Sequence, residues 1–486
     1  MSGCASAPEG EPARQGGAAE AERTTRDEPF SEDDRLEQSE ADRSDDDGAG
    51  SDRTDDPRTD DDRTGSDQTE REGSDSPGPR SQPQPPGDSA NPERSNLTAD
   101  AAIENLIASM TLRQRIGQMI MPGLTHDGRG RPVQEMEGAL SAVIGDIEPG
   151  GIVLFGPNIA TADQVRQLVR SMHEESSVPL LIAVDQEGGV VRRVVPQEGM
   201  PATEIPPARA VGRLGDPLLA YELGRVMGRE LRSLGITMNF APVADVQTNL
   251  DNPVIGSRAY GSDPELVAEM VAATVRGLQA EGVSAVVKHF PGHGDTMQDS
   301  HEEAATVAHD LARLQEIELV PFRQGIEAGA DGVMIGHIAV PEVSGSPVPA
   351  TLEAVLVEGL LRERLGFEGL IVTDSLVMDG LTRYFNAETI AVQAVRAGAD
   401  ILLLPGNPES ALAAIESAVA TGEISRERID ASVRRVLQTK LDRGLLEVSQ
   451  EEQGIIVSDE LVPRKIIMGT DEHRSLVEII RQGDRQ

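Results

Sequence analysis

From about residue 100 the chain alternates short apolar runs with amphipathic stretches. The runs are IGQMIMPGL, GGIVLFG, PLLIAVDQEGG, ITMNFAPVADV, VSAVVKHFPGHG, DGVMIGHIAV, LIVTDSLVMDG and ADILLLPG. Each is aliphatic and β-branched and ends in Gly, Pro or a polar residue, as a strand buried on both faces of a parallel sheet does. Between most of them lie helical patterns such as ADQVRQLVRSMHEE and PELVAEMVAATVRGLQAEG. Eight βα-like units over about 340 residues predict an α/β fold, a (β/α)8 TIM-type barrel with an irregular strand or two. A doubly wound open sheet is the alternative, and it usually has fewer strands.

Polar residues cluster where these runs end. Asp185 follows LLIAV, and Asn239 and Asp245 flank FAPVA. Lys288 and His289 follow SAVV, His337 follows VMIG, and Asp374 follows LIVT. In a parallel barrel the C-terminal strand ends and their loops build the active-site face. One or two such residues can be satisfied core polars, but five strands ending this way point to a functional cleft.

Ahead of these units the pattern stops. Phe30, Leu36 and Leu97 are the only large aliphatic or aromatic side chains of the first hundred residues, which are otherwise Asp, Glu, Ser, Arg, Gly and Pro. Such a segment cannot bury enough surface to offset its ordering entropy, so residues 1–97 are expected to be a disordered acidic tail. Residues 98–447 are the expected catalytic unit. Residues 448–486 hold one more short helical pattern and are expected to be a truncated or vestigial extension.

The net charge is −39, and the acidic excess is shared by the tail and the remainder. A folded part this acidic repels nucleic acid and anionic membrane, which excludes both as expected partners. Lys288, Lys440 and Lys465 are the only lysines, and aromatic residues make up 2% of the chain. Many acids with few lysines fit a halophilic protein working in high salt, where screening weakens self-repulsion; the arginine bias of a GC-rich genome is the alternative.

Cys4 is the only cysteine, which rules out internal disulfides and cysteine metal sites. No apolar run reaches the eighteen residues of a spanning helix. The start, MSGCASAPEG, resembles the end of a bacterial lipoprotein signal without its basic and apolar regions. On that reading the chain is anchored by lipid at Cys4, the acidic segment is a tether, and a cell-envelope location (a periplasmic lipoprotein) is favoured over the cytoplasm.

The densest chemistry is KHFPGHGDTMQDSH, residues 288–301. His289 and His293 have the i, i+4 spacing of a helical zinc site, but Pro291, Gly292 and Gly294 argue against a helix there, so no metal is expected. The glycines lack the Gly-Lys-Ser/Thr ending of a phosphate loop. Acid–base work remains. Asp299 and His301 stand two apart, on one side of an extended segment. A carboxylate beside an imidazole orients it and favours its charged form. Asp374, at a strand end two units later, is a candidate nucleophile, and a carboxylate nucleophile with a proton donor is the equipment of a retaining glycosidase.

This stretch resembles the signature of family-3 glycoside hydrolases, specifically the β-N-acetylhexosaminidases of the NagZ type. AVDQEGGVVRR, NFAPVADVQTNLDNPVIGSRAYGSDP, SPVPATLE and GLIVTDSLVMDGL continue the likeness in order, over about residues 100–445. The resemblance implies a catalytic barrel that needs no cofactor and cleaves terminal β-N-acetylglucosamine from saccharides such as muropeptides. It implies Asp374 as nucleophile, His301 as proton donor and later base, and Asp299 as the residue that orients His301. It implies Asp185, Arg193, Arg258, Lys288 and His289 as sugar-binding residues. Glu187 and His337 read equally as site or support, and His293 and Asp295 read as ties that shape the loop. Val190 replaces a usual arginine, and Ala259-Tyr260 replace a Ser-Phe pair. DEHRSLVEIIRQ resembles only the first helix of the second domain carried by larger members. An N-acetylglucosaminide phosphorylase and a non-catalytic wall-binding lipoprotein are the alternative functions.

Overall fold

The structure, a computed structural model, describes residues 97–297 and 305–485. Residues 1–96 of the expected acidic tail, Cys4 among them, and the candidate residues Asp299 and His301 lie outside the described residues.

Each of the eight apolar runs contributes one strand to the curled sheet or its edge pair, and DGVMIGHIAV also holds a second short strand, Ile338–Ala339, which pairs in parallel with Ala305–Thr306. In chain order the eight are β1 (Ile120–Met121), β2 (Gly151–Val153), β3 (Leu181–Val184), β4 (Met238–Asn239), β5 (Ser284–Phe290), β6 (Gly332–Ile335), β7 (Leu370–Thr373) and β8 (Leu402–Leu403). Strands β2 to β7 form one curled parallel sheet in sequential order, and β1 pairs with β8. Backbone bonds join the two parts at both edges. Val153 N donates to Pro122 O at 3.0 Å beside β1, and Thr373 N donates to Ile401 O at 3.0 Å beside β8.

The pleat sorts the apolar residues into layers. Leu181 and Ala183 of β3 face the inside of the curl with Met238, Val286, Met334, Leu370 and Val372. Their neighbours Ile182 and Val184 face outward, onto Val165, Leu168 and Val169 of helix Ala162–Glu175. Both faces are covered, which is why the runs are continuously apolar rather than alternating. The helices start where the sequence signals them. Thr161, Asp216 and Asp263 each accept a backbone N–H as the cap of a helix, the latter two followed by Pro at the first helical position.

Beyond the sheet, Leu446–Ser449 and Gly454–Val457 form an antiparallel hairpin. The chain then returns along the body. Val462 and Met468 enter the core cluster beneath β2 and β3, and helix Asp471–Asp484 buries His473, Val477 and Ile480 against helices Ala208–Leu214 and Pro217–Ser233. Among the described residues no helix is long and apolar enough to cross a membrane.

Candidate active site

The C-terminal ends of the strands open into one cleft. Asp185, Arg193, Arg258, Lys288, His289 and Asp374 all line it. Of the eight candidate site residues, these six are brought together; Asp299 and His301 are the two outside the described residues. Glu187 and Ser375 join the lining, as do the apolar side chains of Phe155, Met378 and Leu403.

A network of buried charges forms the floor. Glu187 follows β3 at a turn made by Gly188 and Gly189, both at positive φ (98° and 59°). A Cβ on Gly188 would lie 2.4 Å from Pro206 O, so glycine lets the turn close against the next segment. The turn presents Glu187 to two cations. Arg258 clamps it with two bonds of 2.8 Å, and Lys288 Nζ lies 2.6 Å away. Lys288 Nζ also donates to Asp185 Oδ1 at 2.7 Å. Burial alone would raise the Glu187 pKa, but Arg258 and Lys288 outweigh it and hold the carboxyl well below the usual range. Burial likewise opposes the charged forms of Arg258 and Lys288, and the facing carboxylates overcome it and raise both. Glu187, Arg258 and Lys288 therefore stay charged.

Consecutive residues of a regular strand point to opposite faces, yet Lys288 and His289 both reach the cleft. The pairing of β5 with β6 shifts register between Val287 and Phe290, and this irregularity re-aims the two side chains. The partners of His289 define its tautomer. Arg258 can only donate, so His289 Nε2 accepts from Arg258 Nη2 at 3.2 Å and His289 Nδ1 donates to Asp245 Oδ2 at 2.7 Å. Asp245 also accepts from His293 N at 2.7 Å. Burial would raise the Asp245 carboxyl, and the two imidazoles hold it below its ordinary value. His293 Nδ1 contacts Thr296 Oγ1 at 2.6 Å, and burial pushes its pKa down to about 4. The two histidines whose spacing raised a metal site are thus tied to separate partners, and their rings meet edge-on at 5.8 Å.

On the opposite wall, Asp374 Oδ1 accepts from Ser375 N at 2.7 Å. His337 is fully buried below it and donates from Nε2 to the Ser375 carbonyl at 2.7 Å, so it supports the wall from behind. Arg193 is steered by Gln186, whose side-chain oxygen accepts from Arg193 N at 2.8 Å. Among the described residues the buried Arg193 Nε has no hydrogen-bond partner, a donor that a bound polar ligand would satisfy. Asn239 faces Gln186 instead, exchanging two bonds of 2.9 Å with its backbone. Asp295 joins Thr248 and His309 at 2.6 Å each, beside the cleft. The supporting parts of Asp245 and Ser375 had no signal in spacing, because their partners lie on other strands.

Carboxylates and cations gathered at the C-terminal ends of a parallel α/β sheet, over apolar walls, make a site for acid–base chemistry on a small polar substrate. The chain belongs to glycosyl hydrolase family 3: residues 111–439 match the family's N-terminal domain. It is 34% identical over 336 residues to Beta-hexosaminidase A of Pseudoalteromonas piscicida, covering 63% of this chain and 56% of that protein. It is 36% identical over 301 residues to a Beta-hexosaminidase of Nitrosomonas eutropha, covering 60% of this chain and 84% of that one. Among solved structures it resembles a family 3 beta-N-acetylglucosaminidase from Paenibacillus sp. str. FPU-7, with 41% identity and a TM-score of 0.70 over 77% of this chain and 69% of that one.

Proposed function

We propose that this protein is a retaining, exo-acting β-N-acetylglucosaminidase that releases terminal N-acetylglucosamine from saccharides such as peptidoglycan fragments. The observation that carries the reading is Asp374, a carboxylate at the end of β7, set in one cleft with the hydrogen-bonded group of Asp185, Glu187, Arg258 and Lys288. The names borne by the similar proteins support the substrate class. In this reading the curled sheet is a (β/α)8 barrel over 98–447, supported by the backbone bonds at both of its edges. Cys4 carries lipid in this reading, and 448–486 is an extension of the barrel.

The reaction runs in two displacements. A carboxylate oxygen of Asp374 bonds to the anomeric carbon as the bond to the leaving oxygen breaks. His301, oriented by Asp299, gives its proton to that oxygen. A water then loses its proton to His301 and attacks the anomeric carbon, which releases Asp374. Asp185 accepts from sugar hydroxyls, and Arg193 donates to sugar oxygens. Arg258, Lys288 and His289 hold the floor in register around the bound sugar.

The test combines two variants. Asp374→Ala should abolish turnover of an aryl N-acetyl-β-glucosaminide, and a 2-fluoro sugar should label Asp374 in the wild type. His301→Ala should lose roughly 10²–10⁴-fold on substrates with a poor leaving group, and much less in the first step on activated aryl glycosides. Labelling at another residue, or an equal loss on both substrate classes, would overturn the assignment. Rates with and without phosphate separate hydrolysis from phosphorolysis.

A further inference from the structure

Among the described residues, two that line the cleft carry a buried polar side-chain atom with no hydrogen-bond partner: Arg193 at Nε and Ser375 at Oγ. A serine hydroxyl both donates and accepts and turns freely about one bond, so it is among the easiest groups to satisfy. An unpartnered one, in a residue 4% exposed, calls for an explanation.

The backbone of Ser375 is fixed on both sides. Its N–H donates to Asp374 Oδ1 at 2.7 Å, and its carbonyl accepts from His337 Nε2 at 2.7 Å and from Met378 N at 3.2 Å. His337 is held in turn by Thr351 Oγ1, 2.7 Å from its Nδ1. Neither His337 nor Thr351 is exposed to solvent. The Ser375 backbone is therefore held in the cleft lining next to Asp374, and only rotation about its own side-chain bond moves the hydroxyl.

We infer that Ser375 is a substrate-contacting residue that reads the substituent at C2 of the sugar, its Oγ hydrogen-bonding the acetamido group. The inference rests on the proposed reading of Asp374 as the nucleophile. With the anomeric carbon against Asp374, the nearest polar groups of the sugar are the ring oxygen and the C2 substituent. The ring oxygen gains positive charge in the oxocarbenium-like transition state, so a hydroxyl donor there is disfavoured. The C2 acetamido offers both an N–H and a carbonyl. It also carries a methyl group, and Met378 and Leu403 supply apolar surface on the same wall. A hydroxyl beside an apolar wall fits an acetamido group better than it fits a second hydroxyl.

The experiment is Ser375→Ala, read on paired aryl β-glycosides with one leaving group, the N-acetylglucosaminide and the glucoside. The kcat/KM on the N-acetylglucosaminide should fall roughly tenfold, the worth of one neutral hydrogen bond. The glucoside rate should stay within about threefold. Where that rate is too small to read, inhibition by N-acetylglucosamine against glucose gives the same ratio. The melting temperature should hold or rise, because the variant removes a polar group that had no partner in the free protein. An equal loss on both sugars, an unchanged ratio, or a lower melting temperature with a parallel loss of both rates would overturn the inference. A wild type inactive on the N-acetylglucosaminide, or an active Asp374→Ala, would instead sink the functional reading beneath it.

Discussion

Glu187 carries the electrostatics of the cleft floor. It is a buried acid between two cations, and among the described residues the only other acid that bridges either of them is Asp185, with Lys288. Breaking a buried ion pair on one side leaves an uncompensated charge, which typically costs 3–5 kcal/mol. Glu187→Gln keeps the shape and removes the charge. We expect it to lower stability by about that amount in urea unfolding at pH 7, and to cut kcat/KM as Arg258 and Lys288 shift. The folded-state pKa of Glu187 lies below its unfolded value of 4.5, so its stabilisation is complete above that pH and declines as pH falls below it. The gap between wild type and variant should narrow in acid, and a gap independent of pH would contradict the ionised floor. The sequence left Glu187 open between site and support. Its strand-end position was legible, but its clamp by Arg258, 71 residues on, was not.

The eight strands were legible as elements because each is apolar on both faces and ends at a polar residue or a breaker. Two features escaped that reading. The register shift in β5 has no composition signal, yet it puts both Lys288 and His289 in the cleft. The other is how the segment after residue 457 engages the body, because its partners are single residues far back in the chain. Glu230 of helix Pro217–Ser233 is the junction. It accepts from Thr203 N and Thr203 Oγ1 on one side, and from Gly469 N and His473 Nδ1 on the other. Thr203 belongs to the connection that follows Arg193, and Val194 and Met200 there share a core cluster with Val462 and Met468. The C-terminal segment thus braces a loop that lines the cleft. His473→Leu takes one donor from a buried carboxylate, which costs roughly 1–3 kcal/mol. We expect a lower melting temperature and a raised KM, with kcat little changed because Asp374 and its support lie on the other wall. His473→Asn, which can restore a donor near Nδ1, should recover part of both. An unchanged KM in a destabilised His473→Leu would confine the brace to stability.

At the scale of the molecule, the acidity of the chain says nothing about where the few lysines go. One of the three, Lys440, is fully buried at the end of the sheet opposite the cleft. Its Nζ donates to Gln118 Oε1 at 2.6 Å, just before β1, and desolvation lowers its pKa to about 7. His173 lies in the same region, and burial, with Lys440 and Arg232 nearby, pushes it down to about 4, so it is neutral wherever Lys440 titrates. The sign of the linkage follows. Between pH 7 and 10.5 the unfolded chain holds a proton on this lysine that the folded chain has released, so this group makes stability rise with pH across that window. Below pH 7 both states are protonated and the folded state bears the whole desolvation penalty. Lys440→Met keeps the length and apolar stem and removes the charge. Gln118 then loses a donor, a cost independent of pH. The variant's melting temperature relative to wild type should therefore be highest near pH 6.5 and fall steadily toward pH 10, since all other titrations are shared and cancel. Turnover at pH 7 should be unaffected, because the site lies at the other end of the strands. A melting-temperature difference that stays constant over this range would show that Lys440 titrates alike in the folded and unfolded chain.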